Sequence, residues 1–124
     1  SISVGVMENP EFSKMVITTV GTEKQIVQIV KQLDKMIDTI EVKRLDEKES
    51  VYKELALFKV KLSDASNSAE INKLANTFGA KIHNERESSL IVELTATPDE
   101  IKSFEESIKS FGILDSARTG VTAL

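Results

Sequence analysis

A chain of 124 residues has room for one ordinary domain or two small ones, and its formal charge of −4, with acids and bases intermixed, lacks the clustered basic face of a nucleic-acid binder. The absence of cysteine excludes disulfides and thiolate metal sites and suits a reducing compartment such as the cytoplasm. No apolar run approaches the roughly 20 residues of a membrane span, and no signal-peptide pattern is visible, so no membrane partner is expected.

Ile2, Val4 and Val6 alternate with Ser1, Ser3 and Gly5, and this period of two predicts a strand. The pattern is already running at Ser1, with no leading methionine or loop, which raises the expectation that the sequence opens inside a domain. Glu8-Asn9-Pro10-Glu11 supplies a turn, and Phe12–Val20, rich in Val, Ile and Thr, completes a hairpin. Gly21 breaks the strand. Thr22 with Gln25 three residues later matches a capping box, and Ile26, Ile29, Val30 and Leu33 then share one helical face. The helix is expected to end over Asp34–Met36 and to be followed by a strand over Ile37–Leu45, with Ile40 and Val42 on one face. The polar residues 46–51 read as a linker between domains, or alternatively as a hairpin loop within one larger sheet.

Beyond it, Tyr52–Leu62 is a predicted strand in which Phe58, Val60 and Leu62 alternate with Lys59 and Lys61. Asn67-Ser68-Ala69-Glu70 offers a second capping box. Ile71, Leu74, Ala75 and Phe78 form the stripe of the helix after it, which Gly79 stops. Ala80–Glu85 is a strand, Glu85–Ser88 a polar turn, and Ser89–Thr95 the next strand. Thr97 with Glu100 gives a third capping box, with Pro98 at the first helical position. Ile101, Phe104, Ile108 and Phe111 make that helix's stripe, Gly112 ends it, and Ile113–Arg118 is the last predicted strand.

Two stretches of this pattern coincide. Overlaying Lys14–Arg44 on Ser89–Thr119 at a fixed offset brings Val16 onto Ile91, Thr22 onto Thr97, Ile26 onto Ile101, Ile29 onto Phe104, Leu33 onto Ile108 and Met36 onto Phe111. The repeat implies two domains of one architecture. Residues 52–124 show the whole β-α-β-β-α-β order of a ferredoxin-like domain, whereas residues 1–45 show only β-β-α-β. The expected fold class is therefore α+β, two tandem ferredoxin-like domains, the first lacking its first strand and helix in this sequence. That strand is central in such a sheet, and without it backbone donors and acceptors would go unpaired. The lacking elements are expected upstream, or a partner chain fills the gap.

No arrangement of side chains proposes catalysis or metal binding. The single histidine, His83, falls on the face opposite Ala80 and Ile82, and no second His or Cys accompanies it. No serine lies in a nucleophile elbow. Glu105 and Glu106 project in different directions from a helix, and Gly21 and Gly79 are isolated. The chain reads as one that binds. Both helices of such a fold cover one sheet face and leave the other for a second layer or a partner. Gly5, inside a strand, would admit close backbone approach by a ligand, or mark a bulge or a simple packing need.

Ser1–Gly5 followed by Ser13–Gly21 (SKMVITTVG) resembles the ACT domain of acetolactate (acetohydroxyacid) synthase small regulatory subunits. Gln32-Leu33-Asp34-Lys35, Ile37-Asp38 and Val42 look like that family's helix and last ACT strand. Glu54–Val60 (ELALFKV) is similar to its second-domain opening strand, and Arg118-Thr119-Gly120-Val121 with Ala123-Leu124 to its C-terminal signature. The resemblance implies a non-catalytic regulatory subunit that binds no cofactor itself. Its large catalytic partner would carry thiamine diphosphate and magnesium, with FAD as an optional third group. The subunit would activate that partner and confer feedback inhibition by valine or a related branched-chain amino acid held between the ACT domains of a homodimer. The positions that carry over as effector-binding are Ile2, Ser3, Val4 and Gly5, with Gln28 on the helix. The family's main ligand-holding segment, the loop after the first strand, is not in this sequence. Arg118 is a candidate for pairing with an acidic group of the partner, or a strand-end charge in water. The alternative function is a free-standing ACT-type amino-acid sensor serving a different client enzyme.

Overall fold

The computed structural model describes all residues, Ser1–Leu124. The chain divides into two compact units, one of Ser1–Tyr52 with Ala123–Leu124 and one of Lys53–Thr122.

In the first unit the alternating sequence forms strand β1 (Ile2–Val6), which pairs antiparallel with β2 (Ser13–Ile17). The register runs without interruption from Ile2 opposite Ile17 to Val6 opposite Ser13. β2 is shorter than its sequence suggests, since the amide of Thr18 bonds the carbonyl of Ser1 at 3.0 Å and the ladder stops there. Helix α1 (Glu23–Asp34) starts at the expected capping box. The Thr22 hydroxyl accepts from the Gln25 amide at 3.2 Å, and the Gln25 side chain accepts from the Thr22 amide at 2.9 Å. Two orphan donors of the first turn are thereby satisfied. Ile26, Ile29, Val30 and Leu33 are half-buried along one face.

The strand expected over Ile37–Leu45 does not form. A strand exists only as a member of a ladder, and this segment belongs to neither of the two sheets. It turns after α1, where the Thr39 amide bonds the Met36 carbonyl at 3.0 Å, and it leaves Ile37 and Ile40 exposed. The front unit is thus β-β-α rather than β-β-α-β.

The second unit follows the element order β3 (Tyr52–Lys61), α2 (Ala65–Phe78), β4 (Lys81–His83), β5 (Ser89–Ala96), α3 (Pro98–Ile108), a 3-10 turn (Lys109–Phe111) and β6 (Ile113–Ala123). Its four-stranded sheet is ordered β4-β5-β3-β6. β5 pairs antiparallel with both β3 and β4. At the far end, Val51 and Leu124 exchange backbone hydrogen bonds of 2.8 and 2.9 Å.

Three boundaries move from their sequence positions. α2 begins three residues earlier, because Asp64 rather than Asn67 is the cap: Asp64 accepts from the Asn67 amide, and the Asn67 side chain returns to the Asp64 amide. β4 ends at His83, where Asn84 takes a left-handed φ of 49°. β6 continues to Ala123, past the expected end at Arg118, so Arg118 is a mid-strand residue.

The core lies between this sheet and its two helices. Ala56, Phe58 and Val60 of β3, Leu90, Val92 and Leu94 of β5, and Ile71, Ile101, Phe104 and Ile108 of the helices are buried. The Phe104 ring meets Phe78 edge-on at 5.2 Å and Phe58 at 6.0 Å. The fully buried rings of Phe58 and Phe104 each contribute about 1.5–3 kcal/mol through burial. Gly79 closes α2 at φ 74°, a conformation that a Cβ would disfavour.

Candidate functional site

The residues expected to hold an effector fall in two places. Ile2, Ser3, Val4 and Gly5 lie on β1. Ile2 and Val4 project to one face with Val6, Met15 and Ile17, since Ile2 stands opposite Ile17 and Val4 opposite Met15. All five are exposed, Val4 at 62%, so the hairpin presents an exposed apolar face. Ser3 and its partner Val16 are half-buried on the other face. Gly5 is not at a bulge, because the ladder passes through it unbroken. Nothing lies within 4 Å of where its Cβ would be, so no packing within the chain demands a glycine there. The room beside its backbone remains open to an outside group.

Gln28 lines an open hollow on α1 together with Val20, Lys24, Gln25 and Ile29. No residue of Ile2–Gly5 is among its walls. The hollow combines one ammonium and two side-chain amides with two branched apolar side chains. These are groups of the kinds that meet a carboxylate and an aliphatic side chain. In the sequence Ile29 reads only as a residue of the helix's apolar stripe, and Lys24 has no role. A helical i, i+4, i+5 spacing of Lys24, Gln28 and Ile29 after the exposed Val20 was the only available signal.

One ion pair organises this unit. Arg44 donates from both terminal nitrogens to Glu23, at 2.6 and 2.8 Å, tying the non-strand segment back to the first turn of α1. The guanidinium bond and charge of Arg44 hold the Glu23 carboxyl below its ordinary value, and Glu23 in turn raises Arg44. In the second unit Asp64 is also lowered, first by the Ser66 hydroxyl and then by the Asn67 amide.

Arg118 is engaged inside its own unit. Its guanidinium donates to Glu105 of α3 at 2.7 Å and lies 5.8 Å from the centroid of the Phe58 ring. The neighbouring Thr119 hydroxyl accepts from the Leu55 amide at 3.1 Å, and Gly120 takes φ 83°. A side chain thus stands in the β3–β6 ladder where a backbone carbonyl would otherwise serve. His83, on the outer face of β4, contacts Glu93 at 3.1 Å. No group of three or more His, Cys, Asp or Glu is placed to hold a metal ion, and no helix is long and apolar enough to cross a membrane.

An α+β protein with an exposed apolar hairpin face on one unit and a sheet backed by helices on one side in the other has the build of a subunit that acts by association. Comparison with known proteins identifies which. The family model described as the small subunit of acetolactate synthase matches residues 53–124. A protein of Methanothermobacter thermautotrophicus named "Probable acetolactate synthase small subunit" is 37% identical over 124 residues, spanning 100% of this chain and 74% of its own length. The acetolactate synthase small subunit of Bacillus subtilis is 36% identical, over 99% of this chain and 72% of its own. The crystal structure of the acetolactate synthase small subunit from Thermotoga maritima superposes with a TM-score of 0.91 at 32% identity, covering 100% of this chain and 77% of that one. The chain belongs to the acetolactate synthase small-subunit family, the regulatory and non-catalytic subunit class of that enzyme.

Proposed function

We propose that this chain joins the large catalytic subunit of acetolactate synthase in the cytoplasm, raises its activity and confers feedback inhibition by valine. The observation that carries the reading is the 37% identity maintained across all 124 residues, front unit included. Thiamine diphosphate, magnesium and, where used, FAD belong to the catalytic partner. The rear unit's strand order supports a ferredoxin-like domain, and the front unit is read as part of an ACT domain of the same tandem design. Two copies pair through their ACT domains, and the uncovered apolar face of Ile2 and Val4 favours such pairing.

The effector contacts are divided between Ile2, Ser3, Val4 and Gly5 on β1 and, separately, Gln28 in the hollow on α1. The open space beside Gly5 admits a ligand close to the backbone. The Lys24 ammonium beside Gln28 suits the carboxylate of an amino acid, and Val20 and Ile29 suit its branched side chain. Valine regulates only to the extent that it binds one arrangement of the subunits better than another. A coupling of about 1–3 kcal/mol would make its affinity for the two arrangements differ roughly 5- to 150-fold. Arg118 meets an acidic group of the partner by exchanging Glu105 for it, or by sharing its guanidinium between the two.

The test mixes this chain with the large subunit and measures association and acetolactate formation with and without valine. The expected result is a stable complex, raised activity, and inhibition by valine that requires this chain. A chain that neither binds nor activates the large subunit overturns the reading.

A further inference from the structure

The sheet of the rear unit has a second face, opposite the helices. Alternation along β3 places Lys53, Leu55, Leu57, Lys59 and Lys61 there, since Glu54, Ala56, Phe58 and Val60 are buried on the helix side. The register adds neighbours from the adjoining strands. Lys59 stands opposite Ile91, which stands opposite His83, and Leu57 stands opposite Glu93, which stands opposite Lys81. Across β3, β4 and β5 this face therefore carries four lysines and a histidine against one glutamate, in a chain whose formal charge is −4. Helix α3, on the other side of the sheet, carries Asp99, Glu100, Glu105 and Glu106 against Lys102 alone. The unit is electrically two-faced.

The four lysines are all exposed, and Leu55, Leu57 and Ile91 lie among them. Strands are spaced about 4.8 Å apart and alternate residues about 6.8 Å, so the ammonium groups are spread over the sheet rather than turned toward one point. Such spacing does not converge on a single phosphate or carboxylate. Apolar side chains in the middle with cations around them match the core-and-rim build of a protein interface. The excess of positive charge selects the sign of what docks, and a like-charged surface would be repelled.

We infer that the outer face of β3, β4 and β5 docks an acidic surface of the acetolactate synthase large subunit. This rests on the association proposed above and adds the face that makes it. Rim charges act chiefly on encounter rate and salt dependence.

The experiment compares three full chains for binding to the large subunit across a salt series: wild type, Lys59→Glu/Lys81→Glu, and Lys73→Glu/Lys102→Glu. The last has the same change in net charge but places it on exposed positions of the helices. The expected result is roughly tenfold or greater loss of affinity at low salt for the sheet-face variant alone, with the difference from wild type shrinking as salt rises. Thermal unfolding of both variants checks that the fold is kept, as substitutions at exposed positions should leave it. Equal weakening of both variants would assign the effect to net charge and overturn the inference. So would unchanged binding of the sheet-face variant, or a loss confined to its self-association, which would make a second copy the occupant. If wild type itself fails to bind the large subunit, the association proposed above falls, and this inference with it.

Discussion

Helices α1 and α3 begin the same way and end in different circumstances. Both are capped by a threonine with a reciprocal partner three residues on, and the caps share backbone angles, φ −69° and ψ 160° at Thr22, φ −68° and ψ 157° at Thr97. Both carry an apolar stripe at matching positions. In α3 the stripe is buried completely at Ile101, Phe104 and Ile108, whereas α1 has no buried residue at all. The segments that follow diverge further. Ile113–Ala123 becomes a strand beside β3, and Ile37–Leu45 becomes none. A cap and a stripe are written within four to twelve neighbouring residues. Burial and strand pairing are supplied by whatever lies alongside.

The comparison can be pressed by substitution. Phe104→Ala removes a ring buried against Phe58 and Phe78, and should cost about 3–5 kcal/mol in denaturant unfolding of the rear unit. The counterpart Ile29→Ala, at a half-buried site, should cost well under half of that by the same measurement. Equal losses would show that α1 is packed as tightly as α3. Next in size, Thr97→Ala and Thr22→Ala should each cost about 1 kcal/mol, since the two caps have the same geometry. Gly79→Ala, which forces a Cβ onto a left-handed residue, should cost a similar amount of about 1 kcal/mol. Thermal melts of the five variants rank them.

The smallest effect is electrostatic and confined to the front unit. Glu23 titrates below its ordinary value of 4.5 because of the Arg44 guanidinium. A depressed carboxyl stabilises the folded state above the unfolded value and loses that contribution as pH falls through the folded one. The Arg44 tie should therefore be intact above about pH 4.5 and weaken progressively below it. Carbon-detected NMR titration of Glu23 should show the lowered midpoint in wild type and its return toward the ordinary value in Arg44→Gln. Both side chains are well exposed, so added salt should diminish the shift.

Most of the rear unit could be read from residues in order, because each cue there is local and each prediction found its neighbour. The alternation of Phe58 and Val60 became the buried row of β3, with Leu62 buried just past its end, and Thr97 and Gly79 became the caps expected of them. Where two local cues competed, the choice was less legible. Asn67 and Asp64 are both good caps, and the structure uses Asp64 because Asn67 can then serve as its reciprocal partner. The strand over Ile37–Leu45 was misread for another reason. Its β-branched alternation describes a willingness to pair, and pairing needs a second strand. The candidate site was half legible. Gln28 does line a hollow, but its neighbours Lys24 and Ile29 come from the helix surface rather than from β1. Arg118 lies within β6 rather than at its end, and nothing local in the sequence reveals that Glu105 lies within its reach.

The two backbone bonds between Val51 and Leu124 have a mechanical meaning. They join the residue just before β3 to the last residue of the chain, one beyond β6, so the polypeptide enters and leaves the rear sheet through one gate. Fraying at that gate breaks two backbone bonds together, so the first residue ahead of β3 and the last beyond β6 loosen as one.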